Sequence, residues 1–311
     1  MALVSIVVPA HNAAPHLAET LASLLRQTYR PLEILVVDDG STDATAAIAR
    51  QFGEPVRCLS QRNAGPSAAR NAGIAHARGD YVAFVDADDA FTPERTAVLV
   101  AALEAASPAA AFAASDAWLW DGRRPLRRFN IARPPGGEKG LTTFLDENRP
   151  YIGILARRHL LVRLGGFRPD LWANEDCHLW LRLLGAGHTY AHVAEPLYLY
   201  RVHWQSLSRD AVRQALVACQ VYEEALRTLP LTLDQRRRLL YLLWRDRARL
   251  GAARAAVARK EGRWPEWGTR LAGAAAWQAA RFLLRPRLST AKVWQRRRRL
   301  GCVTEMLPPP P

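Results

Sequence analysis

One alternation constrains this chain more than any other feature. Short apolar runs at 3–8 (LVSIVV), 33–37 (EILVV), 56–59 (VRCL) and 81–85 (YVAFV) are separated by segments of helical spacing at 14–27, 42–52 and 67–77. In the first of those segments Leu17, Leu21, Leu24 and Leu25 fall on one side. Ser41 or Thr42 is placed to cap the second. A strand that is apolar on both faces must be covered on both. The alternation therefore predicts an α/β fold, with a mainly parallel sheet and helices on either side.

In such sheets ligands bind beyond the carboxyl ends of the strands, and the polar clusters fall there. Pro9–Asn12 follows the first run, Asp38 and Asp39 the second, and Asp86, Asp88 and Asp89 the fourth. If the fourth run continues as extended chain, Asp86 and Asp88 project to one side. Two carboxylates so placed suit a hard divalent cation, Mg²⁺ or Mn²⁺. Such a cation can bridge diphosphate oxygens and take up charge on a leaving group. A solvated acidic turn is the alternative. Asp39 can accept hydrogen bonds from a base or ribose, although Asp-Asp-Gly-Ser is also ordinary turn chemistry. Asn63–Asn71 opens a helix whose amides attract anions, with Arg70 adding a fixed charge. It is neither a Walker loop nor a GxGxxG turn, so hydride transfer loses support.

Further along, the pattern predicts a helix at 97–106, a strand at 111–120, a loop at 121–140, a strand at 151–156, a helix at 174–184 and a short strand at 197–201. Asn174-Glu175-Asp176 opens the later helix. A hydroxyl is a poor nucleophile until a base removes its proton. One carboxylate is sufficient for a single in-line displacement, which inverts the reacting carbon. Acidic residues at a helix start also occur for dipole reasons alone. Neutral His203 can ligate a metal or bond a phosphate, but a lone histidine gives no assignment.

The formal charge of +14 is unevenly spread. Residues 1–210 hold 22 basic and 22 acidic side chains, whereas residues 211–311 hold 21 and 7, so the whole excess lies in the last third. There Trp244, Trp264, Trp267, Trp277 and Trp294 are interleaved with arginine, ending in Arg296–Arg299. Two readings stay open: a surface for an anionic membrane, or a helical subdomain packed on the rest. Nucleic acid is the poorer partner, because no recognised binding motif is present. Cys58, Cys177, Cys219 and Cys302 are scattered, without zinc-ligand spacing. No apolar stretch reaches the ~20 residues that cross a bilayer. The expected setting is the cytoplasm, with peripheral attachment to the inner face of the membrane.

Seven segments, in order, resemble the family 2 glycosyltransferases: SIVVPAHN (5–12), VVDDGSTD (36–43), NAGPSAARN (63–71), YVAFVDADD (81–89), GGF (165–167), NEDCHLWLR (174–182) and YRVHWQSLS (200–208). The resemblance covers residues 3–208 and implies a GT-A type, Rossmann-like fold, an inverting and non-processive transfer, and a divalent metal. It implies that Pro9 and His11 lie against the nucleotide base and that Asp39 bonds that base, usually uracil. Arg70 would lie near base and phosphates, Asp86 near the ribose, and Asp88 at the metal. Asp176 would be the general base, Glu175 would help hold the acceptor, and His203 would contact metal or diphosphate. His11 stands where the family has a Tyr-type residue. The QxxRW motif of processive members is absent after Asp176.

The expected organisation is a nucleotide-sugar half at 1–110, an acceptor half at 111–210, and a basic helical region with a proline tail at 211–311. The expected reaction moves one sugar from a UDP-hexose or UDP-N-acetylhexosamine to a cell-envelope glycan or glycolipid. The alternatives are a non-catalytic, membrane-associated sugar-nucleotide binder and a nucleotidyltransferase. The latter usually needs a glycine-rich basic loop near the first strand, and PAHNAAPH is not one.

Overall fold

The computed structural model describes residues 1–129, 136–146, 153–202 and 210–260. The expected alternation is present as β1 (Val4–Ala10), α1 (Leu17–Leu25), β2 (Leu32–Asp39), α2 (Thr45–Gln51), β3 (Val56–Gln61), α3 (Pro66–His76) and β4 (Tyr81–Phe84). Then come β5 (Ala90–Phe91), α4 (Arg95–Ala105), β6 (Ala110–Trp120), β7 (Pro125–Arg128), β8 (Gly137–Lys139) and α5 (Leu141–Asp146). The chain continues through β9 (Ile154–Arg157), α6 (Arg158–Arg163), α7 (Glu175–Gly185), β10 (Thr189–Arg201), α8 (Ala211–Thr228) and α9 (Leu233–Lys260).

Among the described residues the strands form one sheet in the order β3-β2-β1-β4-β9-β6-β10-β5, with β7 on β6 and β8 on β10. The first four of this order are parallel, β9 runs antiparallel between β4 and β6, and β6 and β10 are parallel again. The sheet is thus mixed but mainly parallel. Alternating residues feed two cores. Ile6, Val8, Ile34 and Val36 pack with α1, α2 and α4, while Val7, Leu35 and Val37 pack with α3 and α5 to α9. The second core also takes in Leu239, Leu242 and Leu243 of α9, so the helical pair α8–α9 shares a core with the sheet.

Three local expectations are corrected. The 121–140 segment is not all loop: β7 and β8 extend the sheet at its edges. Neither Ser41 nor Thr42 caps α2, which starts after Ala44 with no side-chain cap. The Ser41 hydroxyl is instead taken by the Asn12 N–H across the sheet end (2.9 Å), so a tertiary partner outcompetes the local one. Finally, β4 stops at Phe84, and Asp86–Asp89 forms a turn closed by the Asp89 N–H donating to the Asp86 carbonyl (3.0 Å). Strand alternation therefore does not orient Asp86 and Asp88. No helix among the described residues is long and apolar enough to cross a membrane. His203 and residues 261–311, with four of the five tail tryptophans, lie outside the described residues.

Candidate active site

The loops after β1 and β2 lock together. Asn12, at a left-handed φ of 50°, receives the Thr42 N–H on its Oδ1 (2.9 Å). The N–H groups of Ala13 and Ala14 donate to Thr45 Oγ1 (2.8 Å) and Asp43 Oδ2 (3.1 Å). His11 is exposed, directly after half-buried Pro9 and buried Ala10. Its Nδ1 lies 2.9 Å from the Asp39 carbonyl. A carbonyl only accepts, so Nδ1 carries the proton and Nε2 is left to accept from the Asn63 amide at 3.3 Å. The ring is thereby held in one orientation.

Asp39 is buried, and its carboxylate serves the protein first. Oδ1 accepts from Gln61 Nε2 (2.7 Å) and the Ala64 N–H (2.9 Å), and Oδ2 accepts from the Gly65 N–H (2.8 Å). The amides expected to attract an anion at the start of α3 are thus partly occupied by this aspartate. Gly40 is required next to it: a Cβ there would stand 2.8 Å from the Asn63 nitrogen.

The Asp86–Asp89 turn is fixed from several sides. The Thr20 hydroxyl is shared between the carbonyls of Ala87 (2.9 Å) and Asp89 (2.8 Å). Arg201, at the end of β10, donates from Nε to the Asp88 carbonyl (2.7 Å) and from Nη2 to Glu19 (2.5 Å). Asp89 points inward, accepting from the Tyr198 hydroxyl (2.6 Å) and the Arg201 N–H (2.7 Å). Burial, then the charges of Asp88 and Asp86, raise its pKa well above the ordinary carboxylate range. Asp86 and Asp88 are only half-buried. Burial raises the pKa of Asp86, and Asp88 adds to that rise while Arg70 opposes it.

Arg70 joins this turn to a distant part of the chain. The side chain is 4% exposed, and its guanidinium lies 2.7 Å from Asp86 Oδ1 and 2.7 Å from Glu175 Oε1. Burial opposes its charge, but the two carboxylates outweigh burial and raise its pKa. The Phe167 ring lies 5.7 Å away and contacts Phe84 (5.2 Å) and Trp180 (6.3 Å). Asn71 brackets Phe167, donating to its carbonyl (2.7 Å) and accepting its N–H (2.8 Å). A Cβ on Gly166 would stand 2.2 Å from the Asn71 side-chain oxygen. The GGF and NAGPSAARN segments are thus two halves of one contact.

Asp176 lies in the first turn of α7, beside Glu175. Its carboxyl accepts from the Cys177 N–H (2.6 Å). Burial and then the Glu175 charge push its pKa up to about 7, with Cys177 and Arg70 pulling the other way. A carboxyl titrating there is matched to base chemistry at neutral pH. Trp172, 54% exposed, lies against the start of α3, its ring 3.4 Å from where a Gly65 Cβ would stand.

The structure thus gathers Arg70, Asp86, Glu175 and Asp176 at one end of the sheet, with Asp39 and His11 on the adjoining loops. Asp88 sits in the same turn as Asp86. Sequence reading gave no role to Asp89, Tyr198, Arg201 or Trp172. Arg201 carried a signal, because an arginine within an apolar strand must find partners when buried. Among the described residues no group of three or more His, Cys, Asp or Glu is arranged to hold a metal. Asp86 and Asp88 nonetheless offer hard carboxylate oxygens within one half-buried turn. That fits Mg²⁺ or Mn²⁺, which are held by one or two carboxylates plus substrate phosphates rather than by an all-protein cage.

The comparisons with known proteins agree with this architecture. The "Glycosyl transferase family 2" model matches residues 5–156. A Bacillus subtilis (strain 168) protein named for teichuronic acid biosynthesis, the glycosyltransferase TuaG, is 30% identical over 227 residues, 71% of this chain and 88% of that one. The succinoglycan biosynthesis protein ExoO of Rhizobium meliloti (strain 1021) is 34% identical over 220 residues, 66% of this chain and 62% of ExoO. Other curated relatives are matched over smaller parts of their length, down to 13%. The chain belongs to glycosyltransferase family 2. Its fold is of the GT-A type. S. aureus TarS 1-349 in complex with UDP-GlcNAc superposes with a TM-score of 0.66 at 19% identity, over 86% of this chain and 79% of that chain. The mannosyltransferase PcManGT of Pyrobaculum calidifontis, in complex with GDP-Man and Mn²⁺, gives 0.60 at 23% identity, over 91% and 84%.

Proposed function

We propose that this protein is an inverting, metal-dependent glycosyltransferase that moves one hexose or N-acetylhexosamine from a nucleotide diphosphate, most simply UDP, to a cell-envelope glycan or glycolipid. The observation that carries the reading is the Arg70 bridge, 2.7 Å to Asp86 and 2.7 Å to Glu175. It brings the acidic turn and the start of α7 against one another.

In this reading the donor's base lies along Pro9 and His11, with Asp39 holding the loop that meets it. Asp86 faces the ribose. Arg70 supplies positive charge beside the diphosphate while keeping Asp86 and Glu175 in place. Asp88 would hold the divalent cation, together with His203, and the cation would neutralise charge on the departing diphosphate. Asp176, half-ionised near neutrality, takes the proton of the acceptor hydroxyl. The hydroxyl oxygen bonds to the anomeric carbon as the bond from that carbon to the diphosphate oxygen breaks, and the nucleotide leaves with the electron pair. Attack from the face opposite the leaving group inverts the centre. Glu175 helps hold the acceptor. Residues 1–110 form the donor half, 111–210 the acceptor half.

Incubation of the full chain with a panel of UDP, GDP and dTDP sugars and Mn²⁺ tests this. One donor releasing its nucleoside diphosphate faster than blank is expected. Binding without release from any donor would favour the non-catalytic alternative.

The basic last third fits an anionic membrane, where a lipid-linked acceptor would be met. Trp244 (39% exposed) and Arg247, 5.6 Å from its ring, lie on the outer side of α9. Cosedimentation with phosphatidylglycerol vesicles, lost in pure phosphatidylcholine, is expected. Cosedimentation with neither would leave the region as a packed subdomain.

A further inference from the structure

Helix α8 touches α7 at two polar points, and these flank Asp176. Before it stands Asn174, whose φ of 52° is a left-handed conformation that L residues seldom adopt without support. Its Nδ2 donates to both the backbone oxygen and the side-chain Oε1 of Gln214, each at 3.1 Å. After it stands His178, 4% exposed, with Nε2 at 3.1 Å from Glu224 Oε1. The same glutamate pairs with Arg168, in the loop that carries Phe167 toward Arg70. These contacts are separate from the apolar packing of α8, which runs through Val217, Val221, Tyr222 and Ala225.

Asp176 receives its hydrogen bond from the next residue of its own helix. The direction of its carboxylate is therefore set by where the first turn of α7 sits. We infer that Gln214 and Glu224 are positioning residues: from α8 they hold the first turn of α7 at both ends and so aim Asp176 into the cleft. This rests on the role of Asp176 proposed above. It makes the helical pair part of the active site, although the matched family model ends at residue 156.

The test uses the full chain with Gln214→Ala, Glu224→Ala, the acceptor-preserving Gln214→Glu and Glu224→Gln, and Leu216→Ala as an exposed control on the same helix. Nucleotide release gives kcat and donor KM, and hydrogen exchange reports the peptide spanning 174–185. Misplacing a catalytic group by about an ångström costs up to about a hundredfold. A fall in kcat of about tenfold is therefore expected in both alanine variants, with donor KM within about twofold of wild type. The preserving variants should regain most of kcat, and Leu216→Ala should match wild type. Exchange should quicken at the start of α7 and stay unchanged in α1 to α4. As Asp176 becomes better solvated, the acid limb of the pH profile should also move to lower pH.

Unchanged kcat in both alanine variants would overturn the inference. So would failure of both preserving variants to rescue, or quickened exchange spread over the whole molecule. A wild-type protein that releases no nucleotide defeats the parent reading instead. The exchange experiment still decides whether α8 sets the first turn of α7.

Discussion

Residues 1–110 and the pair α8–α9 are held together by different means. In the first region the loops at the strand ends are tied to one another by side chain to main chain hydrogen bonds: Asn12 to Thr42, Asp39 to Ala64 and Gly65, Thr20 to Ala87 and Asp89. Each bond demands a particular residue type, so the region reads as a string of motifs. The helical pair is held by apolar packing of Ala, Leu, Val and Tyr, which many sequences satisfy. Its specific contacts, through Gln214, Glu224, Gln235 and Arg238, are scattered and leave no motif. Motif density therefore marks where the local chemistry is demanding. It does not mark where the site depends on the fold.

The sharpest way to break this comparison is Asp176→Asn, a substitution in the motif-bearing turn that α8 supports. Sugar transfer is expected to fall on the order of a thousandfold while donor affinity stays unchanged. In wild type, kcat/KM should decline as pH drops through about 7, because the base works ionised and its pKa stands near 7. Stability should move the other way. Between its ordinary value of 3.8 and about 7 the folded chain keeps a proton on Asp176 that the unfolded chain has lost. The contribution of this group therefore falls as pH rises through that window. At pH 8 the asparagine variant should be more stable than wild type by about 1–2 kcal/mol after allowing for partial exposure, and the gain should shrink toward pH 4. Thermal melts at the two pH values measure it. Full transfer activity in the variant would remove Asp176 from the chemistry.

The next effect in size is at Arg70, which joins the first region to the start of α7, the helix that α8 contacts. Arg70→Met keeps the bulk of the side chain but leaves Asp86 and Glu175 facing each other without a cation. Breaking one side of a buried ion pair costs about 3–5 kcal/mol, and Glu175 and Asp86 are partly exposed, so a loss of about 3 kcal/mol in urea unfolding at pH 7 is expected. It should lessen on acidification, as the orphaned carboxylates take up protons. Wild-type stability in Arg70→Met would mean that the acidic turn and α7 meet without this bridge.

How far the sequence could be read follows the same division. The strands and helices of residues 1–106 were legible because buried strands are apolar throughout and helices repeat at their own period. The α2 cap was misread because Ser41 has a competing partner across the sheet in Asn12. The continuation of the fourth strand through Asp86 and Asp88 was misread because a strand's end is set by its neighbours, and β1 pairs with β4 only as far as Phe84. The grouping of acidic turn, Arg70 and Glu175-Asp176 was legible only through resemblance, since residues 70 and 175 are joined by nothing in their spacing. Asn174 in its left-handed conformation and the inward turn of Asp89 had no sequence signal, because each is imposed by a contact from a later element.

The smallest expected effect lies wholly within the first region and sharpens the comparison by staying there. Asp88 shares its turn with Asp86 and Asp89, and its backbone carbonyl receives the Arg201 guanidinium (2.7 Å). Asp88→Ala keeps that carbonyl and should leave the Arg70 bridge in place. Its loss should appear in one place. A cation bridging a carboxylate and a diphosphate depends on that carboxylate's charge, so Mn²⁺-dependent UDP affinity is expected to weaken about tenfold, roughly 1.4 kcal/mol. UDP binding without metal should be unaffected. Calorimetry with and without Mn²⁺ separates the two. If affinity with Mn²⁺ is unchanged, the cation is held elsewhere. If affinity falls equally with and without Mn²⁺, Asp88 acts on the fold of the turn rather than through a metal.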